Sequence, residues 1–165
     1  MPENGDPPQP GHGPGKDVGP VMLALSTFRR SDEAVRIALD RAAECGRLIV
    51  LYVADVNLAR YMVGTDIGLS SGLERQCEEE VVAEHERDGQ RHVAEIEELA
   101  REAGIAVDSD VRIGRFGLVV MEIARRERPS LIVTTRSERP AWVRRFFGSP
   151  VDHIMATAEC PVIES

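Results

Sequence analysis

Residues 131–151 read LIVTTRSERPAWVRRFFGSPV, and this stretch decides the fold. Leu131, Ile132 and Val133 form a short apolar run of the kind found in a buried strand. Gly148-Ser149-Pro150 reads as the start of a helix, with Ser149 as N-cap and Pro150 at the first helical position. Between the two lie Arg136, Arg139, Arg144 and Arg145, together with Trp142, Phe146 and Phe147. A loop that leaves a strand and enters a helix is where α/β proteins place phosphates, because the free N–H groups and dipole of the helix attract anions.

Outward from this stretch, the same strand-to-helix unit recurs. After Ser149 a helix is expected to about Ala158, then a last short strand at Pro161-Val162-Ile163. Near the other end, VMLAL from Val21 is a continuous apolar run, followed by the turn Ser26 to Arg30 and a helix capped by Ser31. Ala34, Ile37, Ala38, Arg41 and Cys45 mark that helix, and Gly46 ends it. LIVLYV, 48–53, is the second buried strand. Residues 54–70 show no sustained period and read as a loop or lid.

Ser71-Gly72-Leu73-Glu74 has capping-box form. The spacing of Leu73, Cys77, Val81, His85, His92, Ile96, Leu99 and Ala103 predicts a long amphipathic helix, with Gly89 as its weak point. Its acidic first half reads as a solvated face. IAVDSDVRI, 105–113, alternates as an edge strand does. Gly114 to Gly117 reads as a tight turn, and Leu118, Met121, Ile123 and Ala124 as a short helix stopped by Pro129. Strands that alternate with helices in this way, joined by right-handed crossovers, make an α/β fold: one parallel sheet with helices on both faces.

Residues 1–20 are rich in Pro and Gly and nearly devoid of apolar side chains, which predicts a disordered tail before a domain at 21–165. The 28 acidic and 20 basic residues leave a net charge of −8, which argues against nucleic-acid and anionic-membrane partners. No stretch is apolar enough to span a bilayer. Cys45, Cys77 and Cys160 form no CxxC pair and read as reduced thiols, so a cytoplasmic protein is expected. His85 and His92 are seven apart rather than the four that would let both grip one ion, so no metal site is expected. No catalytic constellation emerges either: Ser149 is explained as a cap, and His153 has no partner motif.

From Val21 to Ile163 the chain resembles the universal stress protein family. The resemblance rests on VMLALSTFRRSDEA, LIVLYV, Val111-Arg112-Ile113-Gly114, LIVTT and the closing GSPVDHIMATAECPVI. It implies an adenine nucleotide alpha hydrolase-like fold, with a single doubly wound, five-stranded parallel sheet in the order 3-2-1-4-5. It also implies a homodimer formed through the last strand, at Pro161, Val162 and Ile163. In that strand order a ligand crevice lies between the strands ending at Leu25 and Thr134.

Many members bind ATP there with Gly-x2-Gly-x9-Gly-(Ser/Thr). Gly148-Ser149 matches the last pair, but Thr135 and Glu138 stand where the first two glycines belong. A glycine lets the backbone approach a phosphate closely, which a β-branched Thr135 does not, and Glu138 repels polyphosphate. Pro150 removes an N–H from the helix end, and Ser26 replaces the family's usual Asp. The resemblance therefore places a vestigial nucleotide site at Ser26, Thr27, Val53, Gly114, Thr135, Arg136, Glu138, Gly148, Ser149 and Pro150.

Two functions follow as expectations. The first is a non-enzymatic stress-response or regulatory module that needs no cofactor and works through a protein partner or dimerisation. The alternative is a binder of ATP or another adenylate, using the Gly148-Ser149 helix start and the nearby arginines, with at most weak hydrolysis.

Overall fold

The computed structural model describes residues 18–27, 31–56, 71–135 and 149–165, with the backbone alone for 71–74. Among the described residues five strands and four helices alternate: β1 (Val21–Ser26), α1 (Asp32–Cys45), β2 (Arg47–Asp55), α2 (Ser71–Glu102), β3 (Ala106–Gly114), α3 (Phe116–Glu127), β4 (Leu131–Thr134), α4 (Pro150–Thr157) and β5 (Val162–Glu164). All pairings are parallel, in the order β3-β2-β1-β4-β5.

Strand geometry explains the unbroken apolar runs. Successive side chains leave a strand on opposite faces, so a strand covered on both sides must be apolar at every position. Leu23, Leu25, Leu48, Val50, Tyr52 and Val133 pack against α1 and α2, with Ala34, Ala38, Val93, Ile96 and Ala100. Met22, Ala24, Ile49, Leu51, Val53 and Ile132 face the other way, toward Phe116, Val120, Met121 and Ile123 of α3 and Ile154 of α4. β3 lies at one edge, as its alternating sequence implies, and β5 at the other.

The helix ends follow local chemistry. The Ser31 hydroxyl accepts from the Ala34 N–H at 3.2 Å, and Gly46, at φ 75°, donates its N–H to the Ala42 carbonyl. At the far end of α3 the left-handed position is taken by Arg128, at φ 48°, directly before Pro129.

Several expected boundaries move. β2 continues through Ala54 to Asp55, two residues that the sequence reading assigned to a loop. α3 begins at Phe116, so the expected tight turn at 114–117 is in part the first turn of a helix, and Phe116 itself is core at 1% exposure. The last strand is Val162–Glu164 rather than 161–163; the Pro161 carbonyl still accepts from the Ile132 N–H at 3.0 Å. Ser71 is already helical, and its expected cap contact lies outside the described side chains.

The inward face of α2 differs from the sequence reading as well. His85, Gly89, Val93, Ile96 and Ala100 are buried, whereas Leu99 is 47% exposed and Ala103 is exposed. Gly89, expected as a weak point, is a packing position: a β-carbon there would meet the Tyr52 ring at 2.3 Å. α2 is also longer than the sheet is deep. Its 32 residues span roughly 48 Å, against roughly 30 Å for the nine residues of β2. No described side chain from Arg75 to Glu84 is buried, so the first half of the helix rises past the carboxyl edge of the sheet.

Candidate functional site

β1 and β4 are neighbours, but the helices that follow them cover opposite faces: α1 packs on one and α4 on the other. The chain therefore parts at the carboxyl ends of these two strands, which is where doubly wound sheets open a crevice for ligands.

Ser26 and Thr27 close β1. Ser26 is buried, and Thr27 Oγ1 lies 2.9 Å from Tyr52 Oη. On the β4 side, Thr134 is fully buried and donates its hydroxyl to the Ala24 carbonyl at 3.0 Å; Thr135 follows, 2% exposed. Thr135, not Thr134, stands where a glycine was expected, and its buried side chain adds bulk that a glycine would not. Ser149 and Pro150 stand at the start of α4. Ser149 Oγ accepts from the Asp152 N–H at 3.3 Å, and Pro150 supplies no N–H. The anion-holding end of α4 is thus partly consumed by its own cap.

Val53 sits beside Ser26 in register, but its side chain belongs to the core below α3, so it offers the crevice backbone only. Gly114 ends β3 next to Asp55; a β-carbon there would meet Val119 Cγ2 at 2.8 Å. Arg136, Glu138 and Gly148, with the other arginines and aromatics of that loop, lie outside the described residues.

Two residues that sequence reasoning passed over border this edge. Asp55 is a carboxylate only 3% exposed at the end of β2, and Tyr52 is a fully buried phenol bonded to Thr27. The signal for Asp55 was available, since it directly follows an apolar run that a strand could extend through.

β5 lies beside β4, with Val162, Ile163 and Glu164 opposite Ile132, Val133 and Thr134. Ser165 donates its N–H to the Thr134 carbonyl at 3.0 Å, and its hydroxyl lies 3.5 Å from that of Ser31. Among the described residues, no strand pairs with the outer side of β5. No group of three or more His, Cys, Asp or Glu side chains among the described residues could hold a metal ion. No described helix is long and apolar enough to cross a membrane.

A single parallel sheet in the order 3-2-1-4-5, with a crevice between its first and fourth strands, defines a doubly wound α/β protein of the adenine nucleotide alpha hydrolase-like class. A sequence model of the universal stress protein family matches residues 18–163, and the chain belongs to that family. UspA from Lactobacillus plantarum shares the fold at a TM-score of 0.66 and 16% identity, over 89% of this chain and 97% of its own. A universal stress family protein from Burkholderia pseudomallei superposes at 0.55 with 18% identity, over 90% and 97%. A universal stress protein crystallised in complex with cAMP superposes at 0.51 with 15% identity, over 90% and 98%. No curated protein matches the sequence.

Proposed function

We propose that this chain is a non-enzymatic regulatory module of the universal stress type, one that does not hold ATP in the family's usual way and works through protein contacts. The observation that carries this reading is the start of α4. Pro150 at the first helical position removes one N–H, and Ser149 spends its hydroxyl on the Asp152 N–H. Thr135, buried where the family's motif has glycine, is a second departure at the same place. The three changes act together, because a polyphosphate site depends on close backbone approach and free N–H groups.

In this reading the protein is cytoplasmic and dimeric, pairing through Pro161, Val162 and Ile163 on the outer edge of the sheet, which no described strand covers. An unpaired edge favours addition of a second strand, although three residues make a small contact.

A second reading is favoured by one observation, the likeness to a universal stress protein crystallised with cAMP. A monophosphate makes a smaller demand on the α4 start than a triphosphate does, and the arginines of residues 136–145 offer guanidinium forks.

Calorimetric titration with ATP, ADP, AMP and cAMP, with and without magnesium, separates the two. No heat up to millimolar nucleotide supports the regulatory module. Saturable micromolar binding of AMP or cAMP alone supports the second reading, and micromolar ATP overturns the first.

A further inference from the structure

Tyr52 occupies a position that neither reading uses. Its side chain is fully buried on the α1/α2 face of β2, flanked in register by Leu25 on β1 and Val111 on β3. One end of the residue reaches the crevice: Oη lies 2.9 Å from Oγ1 of Thr27, the half-buried residue that follows β1. The ring bears on α2, where a β-carbon on Gly89 would come within 2.3 Å of Cδ1, 2.6 Å of Cε1 and 2.9 Å of Cγ. Separations this short exclude any side chain at 89, so the ring rests against the bare helix backbone.

A phenol has two side-chain torsions and, packed on both faces, little freedom in either. Displacement of α2 at Gly89 therefore displaces the ring, and displacement of the ring pulls on the hydroxyl that holds Thr27. We propose that Tyr52 is the positioning residue of the crevice, a rigid link that makes the side chain of Thr27 and the seating of α2 at Gly89 respond to one another. Because the proximal half of α2 rises past the sheet edge, the link joins the crevice to a part of the helix in which no described side chain from Arg75 to Glu84 is buried. The link is independent of what the crevice binds.

A double-mutant cycle tests it on the full-length protein. Gly89→Ala forces the ring to shift; Tyr52→Phe keeps the ring and removes only the hydroxyl. The readouts are the methyl and amide resonances of Thr27 and hydrogen exchange at the amides of Thr27 and Ser31. Gly89→Ala is expected to move the Thr27 resonances and to speed exchange about fivefold, the ratio that one ordinary hydrogen bond supports. In the Tyr52→Phe background the same substitution should leave Thr27 unmoved. Equal effects of Gly89→Ala in both backgrounds would assign the transmission to the β2 backbone and overturn the proposal, as would no effect in either.

Should Gly89→Ala fail to fold, Thr27→Val probes the link from the other end. It should raise exchange at the Gly89 amide relative to wild type, and an unchanged Gly89 amide would overturn the proposal equally.

Discussion

Ser130 donates its hydroxyl to the carbonyl of Gly19 across a distance of 2.7 Å, while its backbone N–H binds the Pro20 carbonyl at 2.9 Å. These bonds hold the chain before β1 against the turn before β4. Gly19 and Pro20, expected as part of the tail, thus make contacts with the domain. A β-carbon on Gly19 would lie 2.4 Å from the Arg128 carbonyl oxygen, which is backbone and cannot turn away. Gly19→Ala should therefore lose roughly 2–3 kcal/mol of stability. Ser130→Ala, which deletes one hydrogen bond, should lose about 1 kcal/mol. Urea denaturation of the two variants beside wild type checks the ranking.

Phe116 is the second test of the structure. It reads as a turn residue in sequence but is buried to 1% exposure with Met22, Leu51 and Ile123 in the core on its face. Phe116→Ala should cost about 3–5 kcal/mol, as truncating a buried aromatic ring does. A turn residue would lose far less. Thermal unfolding followed by circular dichroism distinguishes the two.

The departures at the crevice predict a gain of function. Thr135→Gly and Glu138→Gly, combined with Pro150→Ala, restore both glycines and the missing N–H. The triple variant should bind ATP at least about tenfold more tightly than wild type. Calorimetry on both proteins reads this directly, and unchanged affinity would mean that these positions do not govern the site. Removing Thr135 should also lower stability somewhat, since its buried side chain leaves a small void.

Cys160 carries a pH dependence. Burial raises its thiol above the ordinary value of 9.0, against smaller opposing help from its own backbone. The folded chain favours the neutral thiol, so its contribution is complete below 9.0 and is lost as pH rises through the higher folded value. Wild type should lose stability relative to Cys160→Val on going from pH 8 to about pH 10, by a small amount because the thiol is only partly buried. At pH 8 the Cys160 thiol should also alkylate more slowly than free cysteine. Denaturation at the two pH values and a timed iodoacetamide reaction supply the measurements.

Much of this architecture is legible in the sequence. VMLAL, LIVLYV and LIVTT announce strands covered on both faces because only an interior position tolerates such runs, and Gly46, Ser31 and Ser149 mark helix ends through chemistry that acts within a few residues. What failed was set by distant partners. Leu99 looks like a core residue until α2 is seated on the sheet, and the seating is decided by Gly89 meeting Tyr52, whose positions are far apart in sequence. Asp55 reads as loop because residues 54–70, with Gly64 and Gly68, show no sustained period, and the Thr27 contact with Tyr52 needs the register of two strands. For the site, Ser149, Pro150 and Thr135 could be read from spacing alone, whereas the occupation of the Ser149 hydroxyl by Asp152 could not.

The overhang of α2 has a kinetic consequence. Glu78, Glu79, Glu80 and Glu84 lie on the part of the helix that stands clear of the sheet, on the same side as the crevice. A diffusing anion feels their negative field over a range of about 30 Å at 0.01 M salt and about 10 Å at 0.1 M. Encounter with the crevice should therefore be slow for anions at low ionic strength and quicken as salt is added, whereas encounter with cations should be fast at low ionic strength and slow as salt is added. Through its charge the long helix should thus act on arrival, weighting encounters before contact is made.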